Sequence, residues 1–187
     1  TGWGYDYQVR KLIEKQVPEL RAAGVDFIAA NFHWGEMRVY EPNTNQKKMA
    51  HFAIDHGVDL VLGHHAHVLQ GLEVYKGKNI VYGLGNFCYG GSSISRDPDT
   101  IIYQQILTVD PTRGTILDMK HQIIPALVTT TPEKNSYQPV IAEGTEKTRI
   151  QVKFSHLSGL LLSEPYLPDF RLPGRDRCTA GKVDCKQ

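Results

Sequence analysis

The residues best suited to chemistry are three histidines within residues 63–67, which read Gly-His-His-Ala-His. The apolar run of residues 58–62 precedes them directly, a pattern typical of a buried strand that ends in a turn. Imidazole is a common metal ligand, and a His-x-His spacing allows two rings to converge on one ion. The stretch therefore predicts a metal site at the carboxyl end of a strand.

A second histidine stands in the same kind of position. His33 follows the apolar run of residues 25–30, so two predicted strands each deliver histidine at the same end. A single histidine after a strand is more often structural than a ligand, and the cluster gives His33 its significance. We expect surface or packing roles for His51 and His56, which lie on a predicted helix. His121 and His156 have no ligand spacing, and the sequence assigns them no role.

The elements that must position these histidines alternate in type. Helical spacing of apolar residues over 6–23 predicts a helix that kinks or breaks at Pro18, and a second helix is predicted over 43–56. Apolar strands follow each helix, at 25–32 and 58–62. The order helix, strand, helix, strand predicts a parallel α/β sheet, in which ligands bind beyond the carboxyl ends of the strands.

The chain changes character after residue 67. Residues 68–75 and 80–84 flank a Lys-Gly-Lys-Asn turn and predict a hairpin, and residues 101–109 and 115–125 predict another. Beyond these we expect a polar C-terminal extension over 129–187, loosely ordered or wrapped around a domain of residues 1–128. In this extension Cys178 and Cys185 are either a disulfide, if the protein is exported, or two free thiols.

Composition excludes several classes of protein. The 187 residues are 41% hydrophobic, enough for one domain with a core, and the net charge of +1 gives no basic surplus for nucleic acid. No apolar run approaches the roughly 20 residues of a membrane helix. The chain begins at Thr1 without a methionine, and we expect it to be a fragment or a processed piece.

Several motifs along residues 9–108 occur in a specific order. They are Phe32-His33-Trp34-Gly35-Glu36, Tyr40-Glu41-Pro42-Asn43, Gln46, the run from Gly63 to Gln70, and Leu84-Gly85-Asn86-Phe87. Together they resemble the CapA family of bacterial capsule and poly-γ-glutamate synthesis proteins, which is similar to calcineurin-like metallophosphoesterases. The resemblance implies an α/β fold: a four-layer α/β/β/α sandwich of which this chain is the C-terminal half.

The resemblance also implies a site that holds two divalent metal ions, Mn, Fe or Zn. Carried over residue by residue, the metal ligands are His33, His65 and His67. His64 stands where the family has glycine, and we expect it to protonate a leaving group. Met37 stands where the family commonly has glutamate, while a carboxylate remains one position earlier.

The remaining expected roles fall to three side chains near the histidines. Glu36 is expected to orient a ligand histidine or position the substrate, and Asn86 and Arg38 are expected to bind substrate. For Asn86 a simple turn role is an equal alternative.

The chain lacks the carboxylate motifs that the resemblance requires. Asp26 and Asp59 stand at the starts of their strands, which is the wrong end of the sheet for the site. Three histidines cannot complete the coordination of two metal ions, because each ion takes four to six ligands. We therefore expect the rest of the site to come from a missing N-terminal half or a companion chain.

Three functions follow as alternatives. The first is a metal-dependent hydrolase in capsule or poly-γ-glutamate synthesis or processing, and the second is a non-catalytic protein that binds or assembles the polymer. The third is an α/β domain in which the histidines only pack. The expected partner is a polyanionic capsule polymer or its precursor, with no nucleic acid. The expected location is extracytoplasmic, at the cell surface or anchored through a membrane segment that is absent here.

Overall fold

The computed structural model describes residues 3–91, 93, 96–131 and 134–161, which form a mixed α/β fold. Cys178 and Cys185 lie outside the described residues, so their pairing stays a prediction. The elements in chain order are α1 (Trp3–Ala22), β1 (Ala29–His33), α2 (Thr44–Asp55), β2 (Leu60–His64), β3 (Leu69–Tyr75), β4 (Lys78–Leu84), β5 (Asp99–Val109), β6 (Ile116–Leu127), β7 (Val140–Ile141) and α3 (Gly144–Gly159).

The first sheet carries the histidines. Its strand order is β1-β2-β4-β3, with β1, β2 and β4 parallel and β3 antiparallel to β4. The parallel pairing of β1 and β2 confirms the prediction, since α2 supplies the crossover that parallel neighbours need. The antiparallel pair β3 and β4 confirms the predicted hairpin, with Lys76 and Gly77 both at positive φ in its turn.

A second sheet has the order β5-β6-β7. Strands β5 and β6 pair antiparallel along nearly their whole length, which confirms the second predicted hairpin. The two sheets are not merged among the described residues.

Helix α1 corrects one expectation. The helix continues from Trp3 to Ala22 through Pro18, so the predicted break into two helices does not occur. Ile13 and Val17 are buried in the core, and their packing holds the turns that precede the proline. Packing of this kind offsets the hydrogen bond that proline cannot donate.

Two hydrophobic cores lie on opposite faces of the first sheet. One cluster packs β1, β2 and β4 against α1 and α2, and the other packs β3 and β4 against α3 and the β5–β6 hairpin. Strand β4 belongs to both, because Ile80 and Tyr82 enter the first cluster while Val81 enters the second. This is the alternation of side chains expected of a strand buried on both faces.

Helix α3 lies within the predicted polar extension, where the sequence pattern predicts no helix. It packs against β3, and its buried residues Ile150, Phe154 and Leu157 belong to the second cluster. Gly71 permits the close approach, since a Cβ there would lie 2.5 Å from the carbonyl oxygen of Leu157. The proposed boundary at residue 128 stays a prediction.

Candidate histidine site

The in-register pairing of β1 with β2 brings the histidine motifs together. His33 and His64 are register partners at the carboxyl ends of these two parallel strands. Gly63 is required just before this end, because a Cβ there would lie 1.9 Å from the carbonyl oxygen of Tyr82 on β4. The glycine that opened the sequence motif therefore allows close strand packing beneath the histidines.

The histidine turn, residues 65–67, has an unusual backbone. His65 has φ 90° and His67 has φ 58°, both in the left-handed region that side chains rarely adopt. The turn is held from outside, since the Arg38 N–H donates to the carbonyl oxygen of Ala66 at 2.7 Å. Non-glycine residues persist in this region only where surrounding contacts enforce it, and such sites cluster at functional positions.

His33 and His65 meet ring to ring. The distance between His33 Nε2 and His65 Nδ1 is 2.9 Å, so in their neutral forms one of these nitrogens donates its N–H to the lone pair of the other. Two imidazole nitrogens bound to one tetrahedral zinc ion lie about 3.3 Å apart, given Zn–N distances of about 2.0–2.1 Å. The pair is therefore close to the spacing that two ligands of one ion need.

His67 is oriented by Asn86, which follows β4. The Nδ1–H group of His67 donates to Asn86 Oδ1 at 2.7 Å. Because the amide oxygen can only accept, this bond fixes the tautomer and leaves the Nε2 atom of His67 with its lone pair. An amide or carboxylate partner of this kind is the usual support for a ligand histidine.

Burial affects the protonation of the cluster. Burial lowers the pKa of the half-buried His64, and the nearby charge of His33 lowers it further. Burial also lowers the pKa of His65, followed by the effects of His33 and His67. Both directions favour neutral rings near neutral pH, which suits a ligand or base better than the acid role predicted for His64.

Glu36 and Arg38 lie in the site loop, residues 34–43, which connects β1 to α2. Both side chains are exposed. Within the described residues no hydrogen bond or ion pair joins either side chain to the histidines. Asn86 therefore takes the orienting position that the sequence suggested for Glu36.

Trp34 forms a wall of the site. Its ring stacks on Phe32 with centroids 4.5 Å apart, and its indole N–H donates to the carbonyl oxygen of Tyr82 at 3.0 Å. A cavity of about 270 Å³ opens beside His33 between α1, α2 and the site loop. Its lining includes Phe32, Trp34, Asn45 and Met49.

Comparison with known proteins gives the chain its relatives. Residues 4–90, which span the strands and turns of this site, match the family described as Bacterial capsule synthesis protein PGA_cap. This region of the chain belongs to the CapA family.

Similar CapA-family proteins come from bacteria. The chain is 31% identical to the "Capsule biosynthesis protein CapA" of Bacillus anthracis over 73% of this chain and 35% of that protein. It is 39% identical to the "PGA biosynthesis protein CapA" of Bacillus subtilis (strain 168) over 42% of this chain and 21% of that protein. A "Probable polyglutamine synthesis accessory protein" of Mycobacterium tuberculosis is 31% identical over 55% of this chain and 27% of that protein. The chain thus spans about a third or less of these relatives.

The CapA-family motifs bring three histidine rings near one another. His33 and His65 approach each other, and the rings of His65 and His67 lie 6.1 Å apart. Among the described residues, no group of three or more His, Cys, Asp or Glu side chains is arranged to hold a metal ion. The imidazole donors are of the right chemistry, while the described donor set is too small for two ions.

Sequence reasoning missed two features of the site. The ring of Tyr89 lies 5.3 Å from that of His67, although no pattern around residue 89 pointed to the site. Gln46 and Gln70 were part of the CapA-like motifs but had no role, and both are buried next to the site loop.

In the part of the chain that the structure describes, no helix has the length and apolar character to cross a membrane.

Proposed function

We propose that this chain is part of a protein that synthesises or processes a bacterial capsule polymer, with poly-γ-glutamate as the favoured substrate. The supporting observation is that the family match over residues 4–90 coincides with the strand ends that carry the histidines. The names of the Bacillus relatives supply the polymer class. A polyanion of this kind requires cationic contacts, and Arg38 on the exposed site loop is the proposed one.

The proposed chemistry is metal-dependent hydrolysis with two divalent ions, Mn, Fe or Zn. His33, His65 and His67 would hold part of this centre, because the ring nitrogens of His33 and His65 lie 2.9 Å apart and Asn86 leaves Nε2 of His67 free to ligate. Bound divalent ions would polarise the scissile group and lower the pKa of a water molecule.

The other side chains act on the substrate or on the ligands. Asn86 holds the His67 ring, and the half-buried His64 exchanges a proton with the substrate or its leaving group. Glu36, whose side chain is exposed on the site loop, would position the substrate.

The proposed domain is larger than this chain. The chain would form the C-terminal part of a four-layer sandwich, and the N-terminal half or a companion chain would complete the metal ligands. Support comes from β1, where Ala29, Asn31 and His33 are exposed although strands in parallel sheets are normally covered on both faces. The complete protein is proposed to act outside the cytoplasm, at the cell surface or anchored to the membrane.

The experiment uses the longest open reading frame that contains this chain. Metal content of the purified protein is measured by mass spectrometry, alongside hydrolysis of poly-γ-glutamate and of a generic phosphoester. The test variant is His65→Ala combined with His67→Ala. His156→Ala is the matched control, because His156 is an exposed histidine on α3, remote in sequence from the site.

We expect bound metal in the parent and in the control, and loss of most metal and activity in the double variant. If the double variant loses metal but the parent shows no measurable turnover, the result would favour the second candidate, a non-catalytic polymer-binding or assembly protein. Absence of metal from the parent, unchanged by the double variant, would overturn the metal proposal.

A further inference from the structure

Two buried glutamines lie between the site loop and the sheet. Gln46 on α2 is 2% exposed, and Gln70 on β3 is fully buried. Gln46 Nε2 donates to Gln70 Oε1 at 2.8 Å, so the two amides form a direct pair. Buried amides are costly unless they are hydrogen-bonded, and each member of this pair has further partners.

Those further partners are main-chain groups of the site loop. Gln70 Nε2 donates to the carbonyl oxygen of Val39 at 2.8 Å, and Gln46 Oε1 accepts from the Asn43 N–H at 3.0 Å. The pair therefore holds the site loop by hydrogen bonds at Val39, near its middle, and at Asn43, its last residue. Gly35 packs directly on Gln46, because a Cβ at that glycine would lie 2.7 Å from Gln46 Oε1.

The site loop that the glutamines hold is also the loop that contacts the histidine turn. Arg38, which donates its N–H to Ala66, is adjacent to Val39, and its own φ of 65° is strained. Gln70 lies three residues after His67 on the same chain segment. One amide thus joins the strand that leaves the turn to the loop that braces it.

We propose that Gln46 and Gln70 are positioning residues, which fix the site loop and through Arg38 the left-handed backbone of the histidine turn. This function of the pair as part of an active site rests on the proposed function above. An apolar pair of similar volume would fill the same space at less desolvation cost, but it would leave the carbonyl oxygen of Val39 unheld. The amides therefore fix the position of the loop backbone by directional hydrogen bonds, which apolar packing alone does not provide.

The test compares two buried hydrogen-bond losses on the same strand. Gln70→Met removes the bonds to Gln46 and Val39 at similar volume. Ser158→Ala is the control, because the buried Ser158 Oγ accepts from the N–H of Leu72, also on β3 but in the core cluster on the α3 side. Amide hydrogen exchange of Arg38 and the ring nitrogen shifts of His65 and His67 are measured by NMR in the 187-residue chain.

In Gln70→Met we expect hydrogen exchange at the Arg38 amide to be about tenfold faster than the loss of global stability alone would make it. We also expect altered ring nitrogen shifts of His65 and His67. In Ser158→Ala we expect the exchange rate of the Arg38 amide, once corrected for the change in global stability, to stay within about twofold of the parent's rate. Equal behaviour of the two variants at Arg38 would reduce the pair to a general stabilising role and overturn the proposal.

A second variant covers a failure of Gln70→Met to fold. Gln46→Met leaves the bond from Gln70 to Val39 but removes the bond to Gln70 and the acceptor for Asn43, and the same acceleration at Arg38 is expected. No acceleration in this variant would also overturn the proposal. These readouts need no bound metal, so a failure of the metal proposal leaves their outcome unaffected.

Discussion

At the scale of single residues, the backbone of the histidine turn sets the strongest constraint. His65 and His67 both adopt positive φ, where a Cβ crowds the neighbouring carbonyl oxygen. A glycine would adopt the same conformation without that cost. The chain therefore keeps imidazole rings at positions where backbone energy alone favours glycine, as expected if the rings have a function.

This strain predicts an unusual order of stability. We expect His65→Gly to be more stable than His65→Ala by about 1 kcal/mol, because glycine relieves the left-handed strain while both variants remove the ring. The measurement is the free energy of unfolding in urea. At His33, which is the last residue of β1, glycine should instead be less stable than alanine by about 0.5–1 kcal/mol. The same order at both positions would contradict the prediction.

The bond from His67 to Asn86 predicts a fixed tautomer. In the parent we expect His67 to carry its neutral proton on Nδ1, since Asn86 Oδ1 can only accept. Asn86→Ala should release this preference and cost roughly 0.5–1.5 kcal/mol of stability, whereas Asn86→Asp retains an acceptor and should keep the Nδ1–H form. Nitrogen NMR of the imidazole ring distinguishes the tautomers. An unchanged tautomer in Asn86→Ala would exclude this role for Asn86.

At the scale of elements, α3 is attached to the rest of the fold by a partly buried ion cluster. Asp99, which is 2% exposed, accepts from both terminal nitrogens of Arg149 at 2.8 and 2.6 Å and from Lys153 at 2.8 Å. Lys153 also contacts Asp97, which accepts from the hydroxyl of Tyr40 in the site loop. The cluster thus connects the C-terminal helix to the loop beside the histidines.

This cluster predicts a loss of stability in acid. Burial alone would raise the pKa of Asp99, but the bonds from Arg149 and Lys153 outweigh it and lower the pKa below its usual value. The contribution of the ionised carboxylate is therefore complete above about pH 4 and is lost as the pH falls through the lower folded-state pKa.

The matched variant is Asp99→Asn. At pH 7 we expect it to be less stable than the parent by about 1–3 kcal/mol, discounted for the exposure of Arg149, and the difference should shrink below pH 4. Urea unfolding at a series of pH values measures this. A difference that is independent of pH would assign the destabilisation to lost packing and not to charge.

At the scale of the whole molecule, the first sheet couples two cores. Neighbouring residues of β4 enter opposite clusters, so neither core can come apart without disturbing that strand. Ile54 lies in the cluster on the α1 and α2 side, and Ile150 lies in the cluster on the α3 side. Small domains with such shared strands normally unfold in one transition.

We therefore expect conservative truncations in either core to shift one common transition. Ile54→Val and Ile150→Val should each lower the free energy of unfolding by about 0.5–1.5 kcal/mol. The midpoint from tryptophan fluorescence should move together with the midpoint from circular dichroism in both variants. A shift of only one signal in Ile150→Val would show that α3 unfolds separately.

The sequence alone determined the elements that have strong local patterns. The strands before the histidines, the crossover helix and both hairpins follow from runs of apolar residues and from turn residues, which act within a few positions. The convergence of His33 with His64 and His65 was also foreseeable, because parallel strands end at one edge of a sheet. The family motifs added the order of these features.

Only the tertiary structure decided the features that depend on distant contacts. The intact helix through Pro18 and the helical form of residues 144–159 depend on burial against residues far away in sequence. The same holds for the bond from Asn86 to His67, and for the glutamine pair that spans 24 residues. The spacing of histidines predicts a site, but side-chain direction and hydrogen-bond partners are set by packing across the fold, which no local pattern encodes.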